Sequence, residues 1–414
     1  MLTGRKGSIA ALVQVVTWVV CLILGTAPVE AQSPANQGEP VCLLKADSVA
    51  QPNAGPTDYS FLVRPMGAIR SVMIFVDFPD AEHRESTTDL YNLLVPHSQE
   101  WLKEVSYGRV SLQVMPVPKW YRMSKPSVEY GFTSKVPPMT FEQHRAYIAE
   151  AIHLAEADVN FKQFQFVSIV AAIGAQIPPS PTFQAQPGEG IFTQGIEIRE
   201  AITFGADIRR IIPYFGSKVF VHELGHVFGL PDLYDYLAPR PLQWHFAGGW
   251  SDMSANITGG HYFAYDKLKL GWLDPSQVKC MTSPGTLQAT ITPLERPGGL
   301  KAIMVRTGPS TAYVIELRET VGQDSHLCDH GVLIYTVDAT EENGHGPIRL
   351  LPAQQGADPA MIERCGILYD ATYDVRPGKV ANYSDPRAGI KVELVRKRGS
   401  SYVVSVAWQR TNLN

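Results

Sequence analysis

His222 and His226 stand four residues apart with Glu223 beside the first, and no other stretch of this chain offers so compact a set of reactive groups. Residues i and i+4 share one face of a helix, so both imidazoles reach a single ion from the same side. Glu223 is turned by about 100°, one helical step, which sets it next to that ion rather than on it. This is the pattern of a zinc site whose glutamate acts as general base to a water molecule. Two histidines leave the set one ligand short, since a catalytic zinc takes three from protein and keeps a fourth position for water. Gly229 is suited to end the helix in a left-handed turn. Asp232, three residues further, then comes back towards the ion as the third ligand. A glutamate from a later helix is the rival ligand, but none occurs between Val227 and Leu294. An ordinary amphipathic helix with surface histidines would need neither the glycine nor the aspartate.

The elements that must position these residues are legible in outline. The metal helix should begin around Ser217, a plausible N-cap, with Val221, Leu224, Val227 and Phe228 packing it against a sheet. Buried strands are expected at residues 71–77 and 166–172, and an alternating one at 110–114. Helices are expected at 98–105, at 262–270, and at 141–159, where Tyr147, Ile148, Ala151, Ile152 and Ala155 share a face. Residues 178–190 read as a loop near the substrate, and the aromatic, irregular stretch 231–260 as a cleft wall. Beyond Pro284 the segments become short, rich in β-branched residues and separated by turn signals. The expected fold is therefore α+β: a catalytic domain at 69–283, a mixed sheet carrying the metal helix, followed by an all-β, sandwich-like domain at 284–414.

At 414 residues, 45% hydrophobic and 18% charged, the chain has a globular composition, and a net charge of −4 gives no footprint for nucleic acid. Arg5 and Lys6 precede an apolar run at 9–24, and Ala31 follows as a cleavage position, so residues 1–31 read as an export signal. Residues 32–68 are then an arm or short pro-segment, and no later stretch is apolar enough to span a bilayer. Cys42, Cys280, Cys328 and Cys365 form an even set in an exported chain, open to three disulfide pairings. A second role for Cys42 is an inhibitory thiolate on the metal. Asn256 and Asn382 begin glycosylation sequons. His245 and His261 lie in the aromatic region and are candidates for binding substrate, whereas His326, His330 and His345 read as structural. Asp77, Asp80, Asp235 and Asp252 are candidates for a calcium ion, without an EF-hand pattern to support them.

Together these features resemble the secreted immune inhibitor A-type metallopeptidases, a metzincin-like group with H-E-x-x-H-x-x-G-x-x-D. Residues 106–108 (S-Y-G), 264–273 with Lys267 and the ending G-W-L, 313–318 and 331–338 extend the likeness from about residue 70 to the end. The resemblance implies zinc on His222, His226 and Asp232, Glu223 as base, and Met253 in a methionine turn beneath the metal. Here Asp252 directly precedes that methionine, a departure from the family's spacing. Ala255 occupies the place where many metzincins carry a tyrosine, which leaves Tyr234 and Tyr262 as alternatives. The expected function is a secreted zinc endopeptidase acting on protein or peptide substrates. Its alternative is an exported binding or adhesion protein with a structural or vestigial zinc and a ligand-binding β-domain.

Overall fold

A computed structural model describes residues 42–46, 52–240, 242–256, 258–356 and 358–410; the expected export signal lies outside them. Strand β1 (Gly67–Asp77) is the spine, and its residues from Ser71 onward are all buried. A strand covered on both faces carries such a continuous run instead of an alternation. Its period of two sorts the side chains: Val72, Ile74 and Val76 enter one core and Met73 and Phe75 another.

Helix α1 (Thr87–Val105) follows, capped by the Ser86 side chain, then β2 (Val110–Arg122) and α2 (Phe141–Ala155). Helix α2 opens with a capping box between Thr140 and Gln143, which satisfies two otherwise orphaned donors. Strand β3 (Phe166–Ala171) precedes the short strands β4 (Thr182–Gln184), β5 (Ile191–Thr193) and β6 (Ile196–Ile198), and then β7 (Glu200–Phe204). The sheet order is β2-β1-β3-β7-β4, parallel throughout except for the antiparallel edge strand β4; β5 and β6 form a separate hairpin. Tyr147, Ile148, Ala151 and Ile152 of α2 cover one face. The other face takes α1 together with α3 (Phe215–Val227), the helix that bears the histidines.

After α4 (Ala264–Lys269) the chain turns to β-structure. Strands β8 (Val278–Met281), β9 (Gly285–Ile291), β10 (Ala302–Arg306), β11 (Thr311–Arg318), β12 (Gly331–Asp338) and β13 (Ile348–Leu350) come first. Helix α5 (Pro359–Cys365), β14 (Asn382–Asp385), β15 (Ile390–Arg398) and β16 (Ser401–Trp408) complete it. One sheet runs β13-β12-β11-β10-β8 and the second β14-β15-β16-β9. Ile303, Val305, Ile315 and Ile334 of the first meet Val392, Leu394, Val404 and Val406 of the second. The opposite face of the first sheet, with Met304, Val314, Leu333 and Tyr335, enters the same core as α3. Among the described residues the fold is mixed α+β, with several sheets and five α-helices that fall within one compact unit.

Of the chain before β1, Asn53, Ala54 and Pro65 are hydrogen-bonded to α4 and the turn after it. Tyr265 donates its hydroxyl to Ala54 O (2.6 Å), Trp272 Nε1 donates to Pro65 O (3.0 Å), and Lys269 Nζ donates to Asn53 O. The disulfides are Cys42–Cys280 and Cys328–Cys365, so Cys42 holds no thiolate to offer a metal. No helix among the described residues is long and apolar enough to cross a membrane.

Candidate metal centre

Helix α3 is held rigidly before any ligand is considered. Phe215, Val219, Phe220, Leu224 and Val227 are buried, and Ser98 of α1 donates to Ser217 O at 3.1 Å. The helix starts two residues earlier than expected, at Phe215, with Tyr214 as its N-cap and no side-chain cap bond. It ends as expected. Gly229 takes φ +91°, and a Cβ there would stand 2.7 Å from Thr57 Cγ2, so both conformation and space require glycine.

The reversed chain brings Asp232 back to the histidines. Its Oδ1 lies 3.0 Å from His222 Nε2 and 3.3 Å from His226 Nε2. The other ring nitrogens are committed: His222 Nδ1 donates to Asp252 O (2.7 Å) and His226 Nδ1 to Leu230 O (2.8 Å). A carbonyl can only accept, so each Nδ1 carries its proton and each Nε2 is left to face Asp232. Bonds of about 2.0–2.1 Å to a tetrahedral zinc would space the ligand atoms by roughly 3.4 Å, close to what is seen. Among the described residues this is the only set of three such groups gathered within metal-binding reach.

The electrostatics favour a cation at the same point. Burial opposes charge on His222, but Asp232 outweighs it and pushes the imidazole up to about 10. His226 is raised against burial by the same carboxylate, while Asp232 is held well below the usual range by the two histidines. Positive charge between the Nε2 atoms and Oδ1, as protons or as a metal ion, is what this pocket stabilises. Burial pushes Glu223 up to about 7. Its Oε2 accepts from Thr182 Oγ1 at 2.8 Å, which ties the carboxyl to edge strand β4.

These groups open into a cleft of about 500 Å3 whose facing walls include Val136, Pro137, Pro138, Pro179 and Pro181. The expected loop at 178–190 therefore does border the site, although it contains β4. Met253 is fully buried beneath α3, where a Cβ on Gly225 would run into its Sδ. Tyr234 lines the cleft, whereas Tyr262 lies behind the helix and donates to Val221 O at 2.5 Å.

Two expected substrate contacts are not brought here. His261 is fully buried; Lys267 Nζ donates to its Nδ1 at 2.8 Å and Glu104 Oε1 lies 3.4 Å from Nε2. The preceding glycines lie close against other parts of the same chain, Gly259 against Asp252 and Gly260 against Asp324, where His261 enters the interior. His245 sits away from the cleft lining, half exposed, with Nε2 3.7 Å from Asp235 Oδ2.

The four aspartates considered for calcium are not gathered either. Asp77 is held by Arg122 and His83, Asp80 accepts from Ser127, and Asp235 accepts from Leu237 N. Asp252 is buried with neither carboxylate oxygen hydrogen-bonded, and its contribution to the site is its backbone carbonyl. Sequence reasoning missed Thr182 and Tyr236, whose hydroxyl donates to Asp232 Oδ2 at 2.5 Å. Tyr236 stands four residues after Asp232, a proximity that could have singled it out; Thr182 carried no such signal.

Comparison with protein-family models finds none that matches this chain, and none of the curated proteins compared with it matches.

Proposed function

We propose that the chain is an exported, zinc-dependent endopeptidase with a metzincin-like catalytic fold, similar to the immune inhibitor A-type metallopeptidases. The observation that carries this reading is the convergence of two Nε2 atoms and one carboxylate oxygen beside a buried glutamate in an open cleft. His222, His226 and Asp232 would hold the zinc. When bound, such an ion lowers the pKa of a water and polarises a carbonyl oxygen. Glu223, raised to about 7 and oriented by Thr182, takes a proton from the water as its oxygen attacks the peptide carbonyl carbon. The C–N bond then breaks, and Glu223 returns that proton to the leaving amine. Thr182 orients the carboxylate, and its burial keeps it largely out of solvent.

Export is part of the same proposal, supported by two disulfides, which persist in oxidising surroundings. A direct test measures zinc by elemental analysis and follows casein hydrolysis with and without a chelator. One zinc per chain with chelator-sensitive cleavage supports the proposal. Zinc without cleavage points to the binding-protein alternative, and a metal-free chain that cleaves casein refutes the metal role.

A further inference from the structure

We infer that Asn343, in the loop between β12 and β13, is a positioning residue for the third metal ligand; the inference rests on the metal reading above. Its Oδ1 accepts from the backbone N–H of Asp232 at 2.6 Å. Its Nδ2 donates to the Tyr236 hydroxyl at 2.9 Å, and that hydroxyl donates to Asp232 Oδ2 at 2.5 Å. One side-chain amide thus grips Asp232 twice, at its backbone and, through Tyr236, at the oxygen turned away from the histidines. The direction of the relay is fixed. Asn343 occupies a lone pair on the Tyr236 oxygen, leaving the single hydroxyl proton to point at the carboxylate. With Oδ2 so engaged, Oδ1 is the oxygen presented to the two Nε2 atoms.

The loop backbone reinforces the grip. Gly344 N–H donates to Asp232 O at 3.3 Å, and Tyr236 N–H donates to Gly344 O at 3.1 Å. Gly344 takes φ +73°, and any Cβ there would run into the Tyr236 ring, so a glycine lets the loop close on it. The loop is rooted in the sheet: Asp338 N–H donates to Pro347 O (2.9 Å) and Ala339 N–H to Ser310 O (2.8 Å). A residue of the C-terminal sheet region therefore completes a centre whose ligands all come from one helix and the turn after it. Partners of this kind set the orientation and basicity of a ligand, and losing one weakens metal binding by roughly 10–100-fold.

The experiment uses the full chain with Asn343→Ala and Tyr236→Phe, singly and together. Zinc affinity is read by competition with a chromogenic chelator, and ligand geometry by the absorption spectrum of the cobalt(II)-substituted protein. The melting temperature of chelated protein checks that each variant folds. Each single change is expected to weaken zinc binding by roughly 10–100-fold. The double variant should lose less than the product of the two, because both act through one carboxylate. The cobalt spectrum of Asn343→Ala should shift. If Asn343→Ala does not fold, the affinity and spectrum of Tyr236→Phe decide the relay in its place. Folded variants with zinc affinity within twofold of wild type, or losses that simply multiply, overturn the inference and leave the metal reading standing. A wild-type chain that binds no zinc removes both.

Discussion

Replacing Glu223 with Gln should sharply lower peptide cleavage and, in the chelated protein, raise stability. The carboxyl is pushed from 4.5 to about 7 by burial, a value that already includes the attraction of His222 and His226 and the bond from Thr182. A group raised in the fold favours folding while protonated. That contribution is whole below the unfolded value of 4.5 and is lost as pH rises through about 7. Ionised Glu223 therefore costs roughly 3 kcal/mol at about pH 8, and under about 1 kcal/mol at about pH 5. Gln keeps the shape and can still accept from Thr182, but it never ionises. For the unit Pro40–Asn414 a gain of that size corresponds to a melting rise of roughly 3–6 °C. Melts of chelated wild type and variant should nearly coincide at about pH 5 and separate by that amount at about pH 8. In zinc-loaded protein, peptide cleavage should fall by about 100- to 10,000-fold, the usual worth of a general base. Cleavage within about tenfold of wild type would refute the role of Glu223 as base. Identical melts at both pH values would refute the account of a buried carboxyl held against its preference.

Asp232→Ala should leave the chain folded but unable to retain zinc through dialysis; full occupancy by metal analysis would remove Asp232 from the ligand set. Arg318→Met should destabilise by about 3–5 kcal/mol in chemical denaturation, because it strands buried Glu316 and Asp324 without their cation. Arg318 holds Asp324 below the usual carboxylate range against burial, a contribution present above about pH 4 and lost in acid. The wild-type advantage should accordingly shrink as pH falls, and a gap that does not change with pH would contradict the assignment. Gly225→Ala should lower the melting temperature even though alanine ordinarily gains about 1 kcal/mol over glycine in a helix interior. The new Cβ would run into Met253 Sδ, so a higher melting temperature would show that the methionine does not press on the helix.

Elements whose pattern is set by burial on both faces were the easiest to read. Strands β1, β10 and β12 carry nearly continuous apolar runs because each is covered on two sides. The sequence pattern predicts helix α1 only from residue 98, although it begins at Thr87, because Pro96 lies inside it and breaks the expected periodicity. Strand β4, three residues long, is too short to show any period, yet it places Thr182 against the glutamate. The change from helices on a mixed sheet to paired sheets comes before Pro284, because β8 (Val278–Met281) already pairs with β10. The hydrophobic core nevertheless continues across it, since Met304, Val314 and Leu333 pack with the residues around α3.

The centre itself divides along the same line. Its three ligand candidates are legible because helical spacing and a glycine turn are local geometry, fixed within eleven residues from His222 to Asp232. Asn343 is not legible, because it reaches Asp232 from 111 positions away through contacts that leave no period in the sequence. His261 fails in the opposite sense. It follows the cleft-wall stretch in sequence, but Gly259 and Gly260, packed against Asp252 and Asp324, take it into the interior with Lys267 and Glu104. Local spacing can thus nominate the atoms that would hold an ion, whereas the groups that aim those atoms are set by how layers pack. In this chain that aim runs through a loop of the C-terminal sheet, so metal affinity should respond to changes at Asn343, 111 positions along the chain from Asp232.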